Sequence, residues 1–313
     1  MDKSYLFFDI ECANCFDGVG KMCSFGYVLT DRYFNVLDTD DVVMNPECEF
    51  DWYLFSPKNQ CPLAYSKDYF RAQHNFESFY KPLKKLIEES ERRVIGFASP
   101  NDLGFVVSAC ERYDLPYINF AAYDIKPILE NTKGENHKLS EWCEKYSVRT
   151  DDIQAHKSQD DAMMTMRLTK AFCEEQGIEI EELLEKNRGV KLSVDKYLEA
   201  REAKRHNEEI AGELKQLYGK KCRARLSEKL AGKEFAFGYK IFSTPKDADT
   251  ALELAQLVFK HSGVLQKHLK NRGTLIVQDD TEPAALEGMK KKGFEVVTET
   301  QLREICNMEK KRR

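Results

Sequence analysis

The sequence has little that would carry it into or across a membrane. No apolar run approaches the roughly 18 to 20 residues that a spanning helix needs. The N-terminus passes from Met1-Asp2-Lys3-Ser4 straight into the strand-like Tyr5-Leu6-Phe7-Phe8, without the basic start, apolar stretch and small-residue cleavage site of a secretory leader. The expectation is a soluble, cytoplasmic protein with no membrane partner. A disulfide framework is missing as well. The ten cysteines are scattered over 313 residues, the pattern of intracellular thiols used as small apolar fillers. The one close pair, Cys12-Ala13-Asn14-Cys15, is followed by neither a second pair nor histidines at zinc-site spacing, which argues against a structural zinc module.

What is present suffices for well-packed cores. Hydrophobic residues make up 42% and aromatics 11% of the chain, too many for global disorder. The length fits two domains better than one. A net charge of −5 conceals an asymmetry: residues 1–180 carry 20 Lys and Arg against 31 Asp and Glu, and the remainder 28 against 22. An acidic half is a poor partner for phosphate unless cations neutralise part of it, whereas a basic half attracts a polyanion.

Patterning divides the chain into three stretches and a tail. Within 1–177, Leu6–Ile10, Met22–Leu29 and Val36–Val43 read as strands of an antiparallel meander, with turn formers at Asp31–Asn35. Helical spacing at Phe76–Glu89, then a strand at Val94–Ala98, a helix at Asp102–Tyr113, a strand at Asn119–Ile125 and helices at Leu139–Tyr146 and Asp160–Cys173 make the rest of type βαβ. The sum is an α/β layer, a mixed sheet flanked by helices. Residues 178–229 are dense in Glu, Lys and Arg and read as a charged helical linker, with a helix at Tyr197–Tyr218 and a basic end, Lys220-Lys221-Cys222-Arg223-Ala224-Arg225. Residues 230–308 alternate strand and helix again: Phe235–Phe242, Asp247–His261, Val264, Thr274–Val277, Ala284–Lys292, Phe294–Val297 and Glu299–Cys306. The last five residues, 309–313, form a basic tail.

Chemistry concentrates in the first stretch. Asp9-Ile10-Glu11 sets two carboxylates two residues apart at a strand end, and the period of two turns both to one face. Adjacent carboxylates repel unless a cation lies between them. Asp102 follows the Val94–Ala98 strand at a strand-to-helix loop, where a helix cap and a metal ligand can coincide. His156-Lys157-Ser158-Gln159-Asp160-Asp161 places an imidazole at a loop end and acids in the first turn of a helix.

In that order, Asp-x-Glu, Asp and His-x4-Asp, the set resembles the DEDDh branch of the DnaQ-like 3′–5′ exonucleases over roughly residues 4–174. The resemblance implies an RNase H-like fold and a phosphodiesterase using two Mg²⁺ or Mn²⁺ ions. It implies metal ligands at Asp9, Glu11, Asp102 and Asp161, and His156 as general base. Hard divalent ions take oxygen ligands, which accounts for the acids, and an imidazole with an ordinary pKa of about 6.5 suits the base. Asp9 would bridge the two ions, and Asp161 is preferred to Asp160 on the family's spacing. Cys12-Ala13 stands where the family usually has small Thr-Thr or Thr-Gly, and Ser99-Pro100-Asn101 replaces its common His-Asn. Cys12, Ala13, Phe16 and Met22 are candidates for contact with the terminal nucleotide. The implied partners are single-stranded or 3′-ended DNA or RNA.

The block at about 225–306, with His261-Ser262-Gly263-Val264, Thr274–Val277 and Gly293–Thr298, resembles a BRCT domain. That resemblance implies a protein partner or a DNA end, and tethering of the nuclease to its nucleic acid. Where a phosphate-reading lysine would stand, the helix starts Glu282-Pro283-Ala284-Ala285. The competing reading is a non-catalytic adaptor that keeps the nuclease fold. All five chemical positions are filled, which favours the enzyme.

Overall fold

The structure, a computed structural model, describes residues 3–56, 58–59, 62–154 and 156–307; the basic tail at 309–313 lies outside them. The chain divides into two compact units, Met1–Leu198 and Glu199–Arg313.

In the first unit, β1 (Ser4–Cys12), β2 (Met22–Thr30) and β3 (Val36–Val43) form the meander. There follow α1 (Lys67–Arg71), α2 (Phe76–Ile87), β4 (Arg92–Gly96), α3 (Pro100–Arg112) and β5 (Ala121–Asp124). Then come α4 (Ile125–Lys133), α5 (Leu139–Lys145), α6 (Ser158–Gln176), α7 (Ile180–Lys186) and β6 (Lys191–Ser193). The six strands make one mixed sheet in the order β3-β2-β1-β4-β5-β6, antiparallel from β3 to β1 and parallel from β1 through β5.

β1 is central, which is why Tyr5-Leu6-Phe7-Phe8 is apolar without a break. Its alternate residues feed different cores. Tyr5 and Phe7 pack with Trp142 of α5, Leu168 and Phe172 of α6 and Leu183 of α7. Leu6, Phe8 and Ile10 pack with Leu83 of α2 and with Leu103 and Val106 of α3. By the same alternation Asp9 and Glu11 continue the row of Tyr5 and Phe7, on the side that α6 covers.

The sequence-based organisation differs from the structure in several places. Residues 178–193, assigned to a linker, supply α7 and β6 to the first unit. Ile180, Leu183 and Leu184 are buried there, and Glu181 of α7 pairs with Lys3 and Arg93. The solvated connecting helix is α8 (Val194–Leu217), and it is anchored: Ile210 and Leu214 are buried in the core of the second unit. The strand expected at Phe235–Phe242 ends at Phe237: the bond from the Gly238 N–H to the Ile276 carbonyl (2.8 Å) follows its last residue pair with β9, and the chain then turns away. Helix α4 is absent from the sequence reading; Asp124 caps it with its side chain.

The second unit holds β7 (Glu234–Phe237), α9 (Pro245–Lys260), β8 (Val264–Leu265), β9 (Thr274–Val277), α10 (Pro283–Lys291), β10 (Glu295–Thr298) and α11 (Glu299–Asn307). Its four strands are all parallel, in the order β10-β9-β7-β8. Ala248, Leu254, Ala255 and Val258 of α9 pack on Phe235, Ile276 and Leu302.

Candidate active site

The site forms at the end of β1. Asp9 lies opposite Gly26 and Glu11 opposite Ser24 of β2, and the pairing slips by one residue between Glu11 and Cys12. A bulge at that point ends regular pairing and re-aims the side chains beside it. Gly26 has a strict packing reason. A Cβ there would come within 1.9 Å of the Ser158 carbonyl carbon and the Gln159 nitrogen, so the first turn of α6 rests directly on the backbone of β2. That close approach brings the α6 acids over the strand carrying Asp9 and Glu11.

Glu11, His156 and Asp161 present ligand atoms all within 4.8 Å of one another. His156 Nδ1 lies 3.3 Å from Glu11 Oε1, and the His156 backbone N–H donates to Asp161 Oδ2 (3.1 Å). His156 has φ +60°, a left-handed conformation uncommon for a non-glycine residue. Two contacts hold it there, the one to Asp161 and a bond from the Ala64 N–H to its carbonyl (3.1 Å). Asp160, the neighbouring acid, is occupied elsewhere, accepting from the Gln154 N–H (2.9 Å) and pairing with Lys157. The structure therefore brings Asp161, and not Asp160, to Glu11.

Asp102 sits in the first turn of α3 and is buried, while the helix cap is Ser99. Burial, followed by Asp124 and Glu11, raises its pKa well above the carboxylate range. Asp9 is raised in the same sense by burial, then by Asp102, Asp161 and Glu11. Burial and Glu11 push Asp161 up to about 7, against the opposing pull of His156. Mutual repulsion thus connects Asp9, Asp102, Asp161 and Glu11 as one acidic centre. The donor set fits a hard divalent cation, because carboxylate oxygens predominate and the negative charge exceeds what the protein's own groups offset.

The nucleotide-contact candidates separate by burial. Ala13 and Met22 are buried in the cores, whereas Phe16 is half-exposed and Cys12 partly so. The Cys12 and Cys15 Sγ atoms lie 3.4 Å apart.

Sequence reading missed two acids. Asp41 accepts hydrogen bonds from Ser158 Oγ (2.6 Å) and Tyr65 Oη (2.8 Å), and Ser158 also bonds Ser24 Oγ (2.8 Å). This network ties the start of α6 to β2, β3 and the loop carrying Tyr65. Asp124 accepts from the Ala98 and Lys126 N–H groups (2.9 and 3.0 Å), fixing the turn that leads to Asp102. A strand-end acid directly before a helix was the available signal for Asp124. Asp41, one of three acids in Asp38-Thr39-Asp40-Asp41, had none.

Fold and site together define a mixed-sheet α/β unit with an acidic centre, of a composition suited to a cation, at the end of its central strand. Residues 6–169 match the family described as Exonuclease, and since that is more than half of the chain, the protein belongs to this exonuclease family. The six-stranded mixed sheet agrees with the RNase H-like fold the sequence implied. Among solved structures, the chain is similar to the 3′-exonuclease of a study on 3′-end specific recognition of histone mRNA stem-loop, at 17% identity and a TM-score of 0.48, covering 57% of this chain and 84% of that one. It is also similar to E. coli exonuclease I in a zinc-bound complex with single-stranded DNA, at 17% identity and a TM-score of 0.46, covering 56% of this chain and 42% of that one. The chain thus spans less than half the length of that exonuclease I. No curated protein matches the chain.

Proposed function

We propose that the first unit is a 3′–5′ exonuclease of the DEDDh type, which hydrolyses phosphodiester bonds at the 3′ end of single-stranded or 3′-ended DNA or RNA. The observation that carries this reading is the convergence of Glu11, His156 and Asp161 within 4.8 Å at the end of the strand bearing Asp9. Asp9, Glu11, Asp102 and Asp161 would hold two Mg²⁺ or Mn²⁺ ions, which when bound supply charge neutralisation at the phosphate and a more acidic attacking water. His156 would serve as the proton acceptor for the attacking water. Its Nδ1 faces Glu11 at 3.3 Å, so an Nδ1–H donated to the carboxylate leaves the Nε2 lone pair for the proton. The bond from the His156 N–H to Asp161 fixes the loop so that the ring keeps its place during turnover. Phe16, half-exposed, offers a face for stacking on the terminal base.

For the second unit we propose a BRCT-like module that recruits the nuclease to a protein partner or a DNA end. Support comes from its compact all-parallel sheet with helices after β7, β9 and β10.

The test is hydrolysis of a 3′-labelled single strand. Release of label with Mg²⁺ or Mn²⁺, abolished by chelator and by Asp9→Ala, is expected. Inertness with both ions would instead support the non-catalytic adaptor, and undiminished activity in Asp9→Ala would show that the hydrolysis does not come from this centre.

A further inference from the structure

The second unit has a cavity of about 820 Å³ at the starting ends of its parallel strands, where Glu234, Val264, Thr274 and Glu295 begin β7, β8, β9 and β10. Two basic segments border it. One, from Lys220 to Lys233, contributes Lys221, Arg225 and Lys233 to the lining; the other, from Lys267 to Arg272, contributes Arg272. Backbone hydrogen bonds pin both to this end of the sheet: Gly219 N–H to the Leu265 carbonyl, Leu226 N–H to that of Lys260, Val264 N–H to that of Lys233, and Glu295 N–H to that of Gly273.

The charge here is only partly neutralised internally. Lys221, Arg225, Lys233 and Arg272 line the cavity and are exposed. Among the described residues only Arg225 of these four has an acidic partner, Glu228 at 2.7 Å. The two acids of the lining are engaged by neutral donors, Glu234 by the Gln266 amide (3.0 Å) and Glu295 by the Thr274 hydroxyl (3.2 Å). Elsewhere in the unit cations meet acids, as in Arg303 with Glu253 and Lys291 with Glu287. Like charges gathered in a concavity repel unless an anion enters.

We infer that this cavity binds the phosphate backbone of a nucleic-acid strand, giving the second unit its own contact with nucleic acid. The choice of a nucleic acid over a phosphopeptide rests on the exonuclease reading. It is favoured also by two basic segments, which provide for more than one phosphate. No aromatic residue lines the cavity, so bases have nothing to stack on and binding is independent of sequence.

The experiment uses the full chain in chelator, so that nothing is cut, and follows anisotropy of a 30-nucleotide single strand at several salt concentrations. Lys221→Glu/Arg272→Glu is expected to weaken binding about 30-fold and to flatten the salt dependence by about 1 to 1.5 in log–log slope, since each phosphate contact on a single strand contributes about 0.7. The milder Lys221→Gln/Arg272→Gln should show the same trend at an unchanged melting temperature. Metal-dependent hydrolysis of a trinucleotide at saturating concentration, which depends on the first unit alone, should be unaltered in both variants. Affinity within threefold of the native protein with an unchanged slope would overturn the site while leaving the exonuclease standing. So would a phosphorylated peptide that outcompetes the oligonucleotide through the same residues. Strand binding that depends on these residues, with no hydrolysis by the native protein, would retain the site and reject the exonuclease.

Discussion

His156 combines two properties that a packing histidine would not need. Its backbone is held at φ +60°, and its ring, tied to Glu11, remains substantially exposed. Replacing it with alanine removes the proton acceptor but none of the four carboxylates. His156→Ala is expected to lower kcat by about 10²- to 10⁴-fold while the Mg²⁺ concentration giving half-maximal rate changes by less than threefold; a collapse of metal affinity would mean that the imidazole is a ligand. The acids carry a different signature. Burial and neighbouring carboxylates raise Asp9, so in the absence of cation its charge strains the fold. In metal-free buffer Asp9→Asn should melt a few degrees higher than the native protein, in line with relief of about 1 kcal/mol or more. Mg²⁺ should raise the melting temperature of the native protein and not that of the variant. Differential scanning fluorimetry checks both. Asp9 and Glu11 were legible because a strand's period of two fixes their common face. Asp41 was not, since its role comes from Ser158 and Tyr65, far away in sequence.

At the scale of elements, the site depends on where α6 begins. The helix was legible from its spacing, but its seat on β2 was not, because a glycine within a strand has several explanations and only the contact with Ser158 and Gln159 selects one. Gly26→Ala must move backbone against backbone. It is expected to cost about 1–3 kcal/mol of stability and to reduce kcat at 20 °C, where the protein remains folded, by at least tenfold, as Asp161 and His156 are carried away from Glu11. Unaltered turnover in a folded Gly26→Ala would show that the seat of α6 does not position the site. The opposite error concerned α7. Its apolar positions, Ile180, Leu183 and Leu184, are few among acids and lysines, and they read as linker although all three are buried. Glu181 strengthens the attachment. Burial opposes its charge, yet Arg93, Lys3 and Tyr5 draw its pKa below the ordinary 4.5. A depressed carboxylate contributes stability above its unfolded pKa and loses it as pH falls through the folded value. Urea midpoints of the native protein and Glu181→Gln should therefore differ at pH 7, by the equivalent of about 1 kcal/mol, and converge as pH drops below about 4.

For the whole molecule, the acidic N-terminal half and basic remainder seen in composition correspond to two jobs that one surface cannot do well. A centre of carboxylates attracts cations and repels phosphate, while the lysines and arginines of the second unit are, in the inference above, what would draw a strand in. The arrangement of strands and helices was recoverable because each short apolar run was bounded by turn formers. The division at Leu198/Glu199 was not, since one uninterrupted helix, α8, crosses it. The central claim is hydrolysis inward from the 3′ end by the Asp9–Glu11–Asp102–Asp161 centre with His156. Its most direct test places a 5′-labelled linear single strand and a circular strand of the same sequence in parallel with Mg²⁺. A ladder shortening one nucleotide at a time from the 3′ end, with the circle intact and both inert under Asp9→Ala, is the predicted result. A cut circle, or a first product released from the labelled 5′ end, would contradict it.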